Sequence, residues 1–371
     1  MGLRSFGSVY DWSRLSDYRS VAGDYPEGMI DLSVGSPVDS VPKRIMMALT
    51  DAADAPGYPK TAGSPELRTA MADWFLNCRG FDLREIDAVS LPTVGSKEAV
   101  ALMASLLGLG EGDVVVQPQV SYPTYEIGTQ LAGATVMKVA DVADVDAWSH
   151  QPGVRMVWVN SPSNPTGETL SIAQMSGIVR AARSIGAVVV SDECYAMMSW
   201  SGSPSCCVLD PAVCGGDCSN LVMLYSLSKQ SSIAGYRAAF VAGDRAIVER
   251  MSVYRRQMGL IVPGPIQHAM VEALRDVQDV EAQADRYRSR LVRLVAALRD
   301  AGYDASMPQG GLYVWVRALS GDCWKDLGAL AKLGIMASPG EFYGDGSRLR
   351  FSSTARDDDV DAACSRLSRG V

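Results

Sequence analysis

Seven short apolar runs, separated by amphipathic stretches, decide what this chain can fold into. They are AVSLPT (88–93), DVVVQP (113–118), ATVMKV (134–139), MVWVNS (156–161), AVVVSDE (187–193), LVMLYS (221–226) and AAFVAG (238–243). Each is predominantly apolar and too short to be a buried helix. A strand that is apolar on both faces belongs inside a sheet covered on both sides. The stretches between them, such as SKEAVALMASLLGLG (96–110) and SIAQMSGIVRAARSIG (171–186), carry the 3.6-residue period of helices. Alternating strands and helices predict an α/β fold, with a mostly parallel seven-stranded sheet in an α/β/α sandwich. Upstream, KRIMMALTDAA (43–53) and PELRTAMADWFLN (65–77) also read as helices, the second opened by Ser64 as N-cap and Pro65 in the first turn.

The character changes after about residue 265. Residues 266–300 read as a long helix rich in Arg, Asp, Glu and Ala. GGLYVWVRA (310–318), a helix near 323–333, GIMASPG (334–340) and RLRFSST (348–354) follow. This α+β pattern predicts a second, smaller domain. We expect a large domain over 40–275 and a small one assembled from 1–39 and 276–371, a division that suits 371 residues.

Composition excludes some functions. A formal net charge of -8 argues against nucleic acid as a partner, because phosphate backbones demand clustered Lys and Arg. No apolar run approaches the ~18 residues that span a bilayer, and MGLRSFGSVYDWSR has no apolar core of a secretory signal, so a cytoplasmic protein without a membrane partner is expected. The eight cysteines are scattered. CVLDPAVCGGDC lacks a second pair at zinc-ligand distance, and the chain has two histidines, so no metal is expected.

In parallel sheets, ligands gather at the carboxyl ends of the strands. Several residues with useful chemistry follow such ends: Gly95, Ser96 and Lys97, then Tyr122, Asn164, Asp192 and Lys229. Lys229 lies in SLSKQSSIAGYR (226–237), where Ser226, Ser228 and Arg237 can donate to a phosphate while the amine attacks a carbonyl. Taken singly, it could be a solvated lysine. GSK (95–97) opens a helix whose backbone amides can bind an anion, and by itself also reads as a plain cap. Asp192 ends an apolar strand, where a carboxylate needs a partner. A protonated pyridine nitrogen would serve, and so would a simple capping interaction. Asn164 in NSPSNPTG (160–167) and Tyr195, three residues after Asp192, could both donate to a ring phenolate oxygen.

SPSNPTG, SDECY and SLSK, with an arginine eight residues beyond that lysine, resemble the fold type I aminotransferases that use pyridoxal 5'-phosphate. The motifs keep that family's order and spacing over nearly the whole chain. The resemblance implies that Lys229 forms the Schiff base with the cofactor and then moves the Cα proton. It implies Asp192 on the pyridine nitrogen, and Asn164 and Tyr195 on the phenolate oxygen. Gly95, Ser96, Lys97, Ser226 and Arg237 would surround the phosphate, with Tyr122 on the ring face. Arg350 would hold the substrate α-carboxylate, with Gly35 in DLSVGSP approaching it and Arg348 a competitor for the role. Tyr58 resembles the tyrosine that reaches a neighbouring subunit's phosphate, implying a homodimer with shared active sites.

Longer phrases, among them DLSVGSPVDSVP, LPTVGSKEAVA, GLIVPGPIQ and PGEFYG, are similar to the actinobacterial N-succinyldiaminopimelate aminotransferases. That similarity implies amino transfer between N-succinyl-L,L-diaminopimelate and 2-oxoglutarate, on the route to diaminopimelate and lysine. Other amino acid and 2-oxo acid substrates (aspartate, aromatic, acetylornithine) or a β-lyase reaction are the alternatives. Both substrates carry a distal carboxylate, for which Lys60, Arg255 and Arg256 are candidates. Gln230 departs from the basic or hydroxyl residue that often follows the lysine.

Overall fold

The computed structural model describes residues 10–370. Twelve strands are present among them. A two-residue strand β1 (Ile30–Asp31) comes first. Then come β2 (Ala88–Val94), β3 (Val114–Pro118), β4 (Thr135–Val139), β5 (Val154–Asn160), β6 (Val188–Asp192), β7 (Leu221–Ser226) and β8 (Ala238–Asp244). These seven form one sheet in the order β2-β8-β7-β6-β5-β3-β4. All pairings are parallel except those of β8, which runs antiparallel to both β2 and β7.

Side-chain alternation along the strands sorts the core into two layers. Val157, Val159, Met223 and Tyr225 face one way and pack with Ile45, Met71, Trp74, Ile178 and Met270. Met156, Trp158, Val222 and Leu224 face the other way and pack with Val100, Met103, Tyr125 and Met251. The first group of helical residues comes from Lys43–Asp51, Pro65–Trp74, Ile172–Ser184 and Gly264–Arg275. The second comes from Ser96–Leu106, Thr124–Ala132 and Arg245–Gln257. Successive side chains on a strand point to opposite faces, so strands apolar at every position need helices on both sides. The result is the expected α/β/α sandwich.

A separate cluster joins both ends of the chain. Leu15, Ile30 and Leu32 pack with Leu294, Leu298, Val314, Leu327, Phe351 and Val360. Here β9 (Tyr313–Arg317), β11 (Ser338–Pro339) and β12 (Arg348–Ser352) make an antiparallel sheet with β12 in the middle. Beside it, β10 (Ile335–Met336) pairs in parallel with β1.

The long helix expected over 266–300 is two helices, Gly264–Arg275 and Gln278–Asp300. The chain breaks at Asp276, which is extended, and its carboxylate accepts from the backbone N–H of Asp279 at 3.0 Å. An aspartate that caps a new first turn competes with continuation of the old helix. Between the two cores runs a strap, residues 32–42. It is held by Ser352 N–H to the Leu32 carbonyl (2.8 Å), Thr354 Oγ1 to the Val34 carbonyl (3.0 Å), and Asp39 on the buried Arg290 (2.8 Å to each of two nitrogens).

Candidate active site

A cavity of about 270 Å³ lies at the carboxyl ends of β5, β6 and β7. The first turn of helix Ser96–Leu106 borders it, and the strap together with β9 and β12 closes it from above. Gly35, Ser96, Lys97, Tyr122, Asn164, Asp192, Tyr195, Ser226, Lys229, Arg237 and Arg350 all line it. Of the residues singled out from sequence, Gly95 stands just behind this wall and Tyr58 lies away from it, fully exposed.

β6 delivers Asp192 into the floor. One carboxylate oxygen accepts from the Tyr125 hydroxyl at 2.7 Å, the other from the Cys194 backbone N–H at 3.1 Å. Burial raises its pKa, and the Cys194 and Tyr125 hydrogen bonds oppose that rise. β7 ends at Ser226, whose hydroxyl caps the single turn Leu227–Gln230 and donates to Ser228 Oγ at 3.0 Å. That turn aims Lys229 back across the cavity, where its ammonium group donates to the Gly35 carbonyl. Burial pushes the Lys229 amine down to about 8. Cys194 opposes this, while the Arg350 and Arg237 cations reinforce it.

Arg237 adopts left-handed backbone (φ 57°), and its guanidinium donates to the Ala234 carbonyl at 2.8 Å. It rests against Gly95, where any Cβ would collide with it. Gly95 is also left-handed (φ 77°), a conformation that favours glycine, and a side chain there would displace the Arg237 guanidinium. Gly95 ends the strand side of a helix with no side-chain cap, which leaves the first backbone amides of Ser96–Leu106 facing Arg237. Amides, a guanidinium and serine hydroxyls brought together in this way could cradle a phosphate.

Arg350 comes from the central strand of the small sheet and is 4% exposed. Its two terminal nitrogens donate to Asn164 Oδ1 (2.8 Å) and the Ser33 carbonyl (2.7 Å). Its guanidinium is sandwiched between the rings of Tyr313 (4.0 Å) and Tyr343 (4.5 Å), and Nε has no partner. Arg348, two residues earlier on the same strand, pairs with Asp345 at 3.3 Å and does not line the cavity. Asn164 keeps its amide N–H₂ free of Arg350, which uses only the oxygen.

Among the described residues, neither Asp192 nor Arg350 has an ion-pair partner. A buried anion and a buried cation, unpaired and sharing one cavity, are costly unless a ligand completes them. The residues present therefore fit pyridoxal phosphate. Asp192 would face the ring nitrogen, Lys229 the aldehyde, and the Gly95–Arg237 cradle the phosphate.

Other expectations resolve differently. Arg255 is buried and donates to both carboxylate oxygens of Glu98 (2.9 and 2.7 Å), so it is committed elsewhere. Lys60 and Arg256 are exposed and do not line the cavity. Gln230 turns away into the core, accepting from the Tyr225 hydroxyl (2.6 Å) and donating to the Ala273 carbonyl (3.0 Å). That explains why neither a basic nor a hydroxyl residue is needed there. The described residues contain no group able to hold a metal ion, and all eight cysteines are free thiols.

Sequence reasoning missed Tyr10, Cys194, Tyr313 and Tyr343 on the cavity wall. It also missed Tyr125 behind that wall. Two of these had a readable signal. Tyr125 follows Tyr122 by three residues in YPTY, and Cys194 stands between Asp192 and Tyr195. Tyr313 reaches the site only because β9 pairs with β12, setting it across from Ser352 and beside Arg350.

A doubly covered sheet that brings a lysine, a carboxylate without an ion-pair partner and a candidate phosphate cradle to its strand ends matches a fold type I pyridoxal-phosphate enzyme. The family model described as "Aminotransferase class I and II" matches residues 27–367, and the chain belongs to that family. The probable aminotransferase Rv1178 of Mycobacterium tuberculosis (strain ATCC 25618 / H37Rv) is 42% identical over 370 residues, covering 99% of this chain and 87% of that one. The 4-dedimethylamino-4-oxo-anhydrotetracycline transaminase OxyQ of Streptomyces rimosus is 42% identical over 362 residues, 97% and 98% of the two chains. The solved structure of N-succinyldiaminopimelate aminotransferase from Mycobacterium tuberculosis superposes with a TM-score of 0.86 at 26% identity, covering 99% of this chain and 100% of the other.

Proposed function

We propose that this aminotransferase moves an amino group between N-succinyl-L,L-diaminopimelate and 2-oxoglutarate, with Lys229 as the point of covalent attachment for pyridoxal phosphate. The observation that carries the reading is the pair of unmatched buried charges, Asp192 and Arg350, in one cavity with the Lys229 amine. When bound, the cofactor supplies an aldehyde that captures the amino group and a protonated ring that stores the electrons left at Cα.

The chain's own residues do the rest. With a pKa of about 8, the Lys229 amine is partly neutral near pH 7, so it can take a proton from Cα and return it to the adjacent carbon. Asp192, ionised, holds a positive ring nitrogen. Asn164 and Tyr195 donate to the phenolate oxygen. Gly95, Ser96, Lys97, Ser226 and Arg237 grip the phosphate, so the cofactor stays when Lys229 lets go. Tyr122 covers the ring face. Arg350 has N–H groups left on its two terminal nitrogens for the substrate α-carboxylate, with Gly35 alongside. Tyr58, fully exposed on the single chain, would reach the phosphate of a second copy in a homodimer.

The substrate assignment draws on the phrase-level similarity and on the full-length match to the N-succinyldiaminopimelate aminotransferase structure. A second reading, a transaminase for a bulkier ketone, is favoured by the higher identity to OxyQ across nearly all of both chains. A half-reaction panel separates the two. N-succinyl-L,L-diaminopimelate, acetylornithine, aspartate and glutamate are each mixed with the loaded enzyme, and loss of its yellow absorbance is timed. The first compound should bleach it fastest, and 2-oxoglutarate should restore the colour. If that donor is inert while glutamate bleaches the enzyme, the bulky-ketone reading replaces this one. Release of pyruvate and ammonia would identify a β-lyase instead.

A further inference from the structure

Tyr125 does not touch the cavity, yet it is fully buried against two residues that do. Its hydroxyl donates to Asp192 Oδ2 at 2.7 Å. Its ring is stacked on Trp158 (4.5 Å between centroids, 19° between planes) and meets Tyr122 edge-on (5.7 Å, 82°). The spacing explains the arrangement. Tyr122 lies just ahead of helix Thr124–Ala132 and Tyr125 in its first turn, three positions on. One ring therefore faces the cavity while the other reaches beneath it.

We propose that Tyr125 is a positioning residue that acts on the cofactor through Asp192. On this account it fixes the carboxylate rotamer and holds the group ionised opposite the ring nitrogen. The proposal rests on the reading that Asp192 is the partner of that nitrogen. Asp192 has two oxygens, one accepting from the Cys194 backbone N–H and the other from Tyr125, and the Cys194 thiol also hydrogen-bonds the carboxylate, so the Tyr125 hydroxyl is the one tyrosine donor that fixes it. The titratable groups facing Asp192 are Tyr125, Cys194 and Tyr122. Burial holds all three well above their ordinary values, so each stays neutral. A neutral donor lowers the basicity of the carboxylate without adding a positive charge that would repel a protonated ring. A lysine or arginine at position 125 would supply the hydrogen bond and also compete for the same anion.

The test is a spectroscopic pH titration of Tyr125→Phe loaded with pyridoxal phosphate. Without the hydroxyl, Asp192 holds a proton more tightly and the ring nitrogen carries less positive charge. The nitrogen joined to Lys229 then titrates at higher pH. A hydrogen bond to a charged group predicts a rise of about one pH unit in the midpoint of the visible absorbance. The half-reaction rate should fall about tenfold, with KM changed less than about twofold. Tyr303→Phe, which removes a buried hydroxyl that donates to Asp326 far from the site, should change neither quantity. Tyr125→His keeps a ring and a donor. It should recover part of the shift, and it provides the same titration if the Phe variant is too unstable to purify. In an Asp192→Asn background, Tyr125→Phe should add nothing. An unshifted midpoint in a folded Phe variant, or the same shift in the Asp192→Asn background, would overturn the proposal. If Asp192→Asn itself leaves the midpoint unchanged, the assignment of Asp192 has failed instead.

Discussion

The floor and the rim of the cavity are built in different ways. On the floor, most polar contacts are with close sequence neighbours, Ser226 with Ser228, Asp192 with Cys194 and Arg237 with Ala234, and the Tyr125 hydroxyl on Asp192 is the long-range exception. Each sits at the end of a strand whose course is fixed by two layers of helices. On the rim, the contacts span most of the chain. Arg350 joins Asn164 and Ser33, and Asp39 of the strap joins Arg290, which also binds Asp357 through two hydrogen bonds (3.1 and 3.0 Å). Chemistry common to many substrates needs a floor already in place, because preorganised groups cost no rearrangement when the reaction occurs. Substrate choice can rest on a rim assembled from separate segments, because such contacts can be altered without disturbing the sheet.

This contrast predicts a graded set of losses. Lys229→Ala removes the proposed point of covalent attachment on the floor and should cut turnover on the order of 10⁵-fold or more, while circular dichroism stays native. Arg350→Gln strikes the rim. It should raise KM for amino donor and oxo acceptor alike by about 100-fold, because a buried charged contact is lost, and leave the affinity for pyridoxal phosphate unchanged. If that affinity falls as well, floor and rim are not separable. Asp39→Asn removes one of the two carboxylates on buried Arg290 and should cost about 3 kcal/mol. It should lower the melting temperature by several degrees and raise KM modestly through a looser strap. A drop in cofactor affinity instead would place the strap's role on the floor.

The smallest effect concerns pH. On the proposed function the neutral Lys229 amine is the reactive form, and its pKa is depressed from 10.5 to about 8. The rate at which apoenzyme captures pyridoxal phosphate should therefore rise with pH and level off above about 8. Burial is the main cause, and Arg350 and Arg237 add to it. Arg237→Gln should consequently move the midpoint upward, as measured by stopped-flow absorbance.

The floor was largely legible in the sequence because its parts are local. The seven apolar runs are the seven strands of the large sheet, and SPSNPTG, SDECY and SLSK sit at three of their ends. The rim was less legible. Tyr313 and Tyr343 sandwich Arg350 through strand pairing and a return of the chain that no local pattern announces. Arg255 looked available and is bound to Glu98, 157 positions away, a partner that periodicity does not identify. The break at Asp276 was missed because an internal N-cap in a polar helix resembles an ordinary surface aspartate. Gln230 looked anomalous only while its side chain was assumed to face the phosphate.

Reduction of the loaded enzyme with borohydride, followed by peptide mapping, tests the central claim most directly. The account predicts one pyridoxyl group per chain, on the peptide that contains Lys229. A label on Lys97 or another lysine, or no stable label on a yellow enzyme, would contradict it.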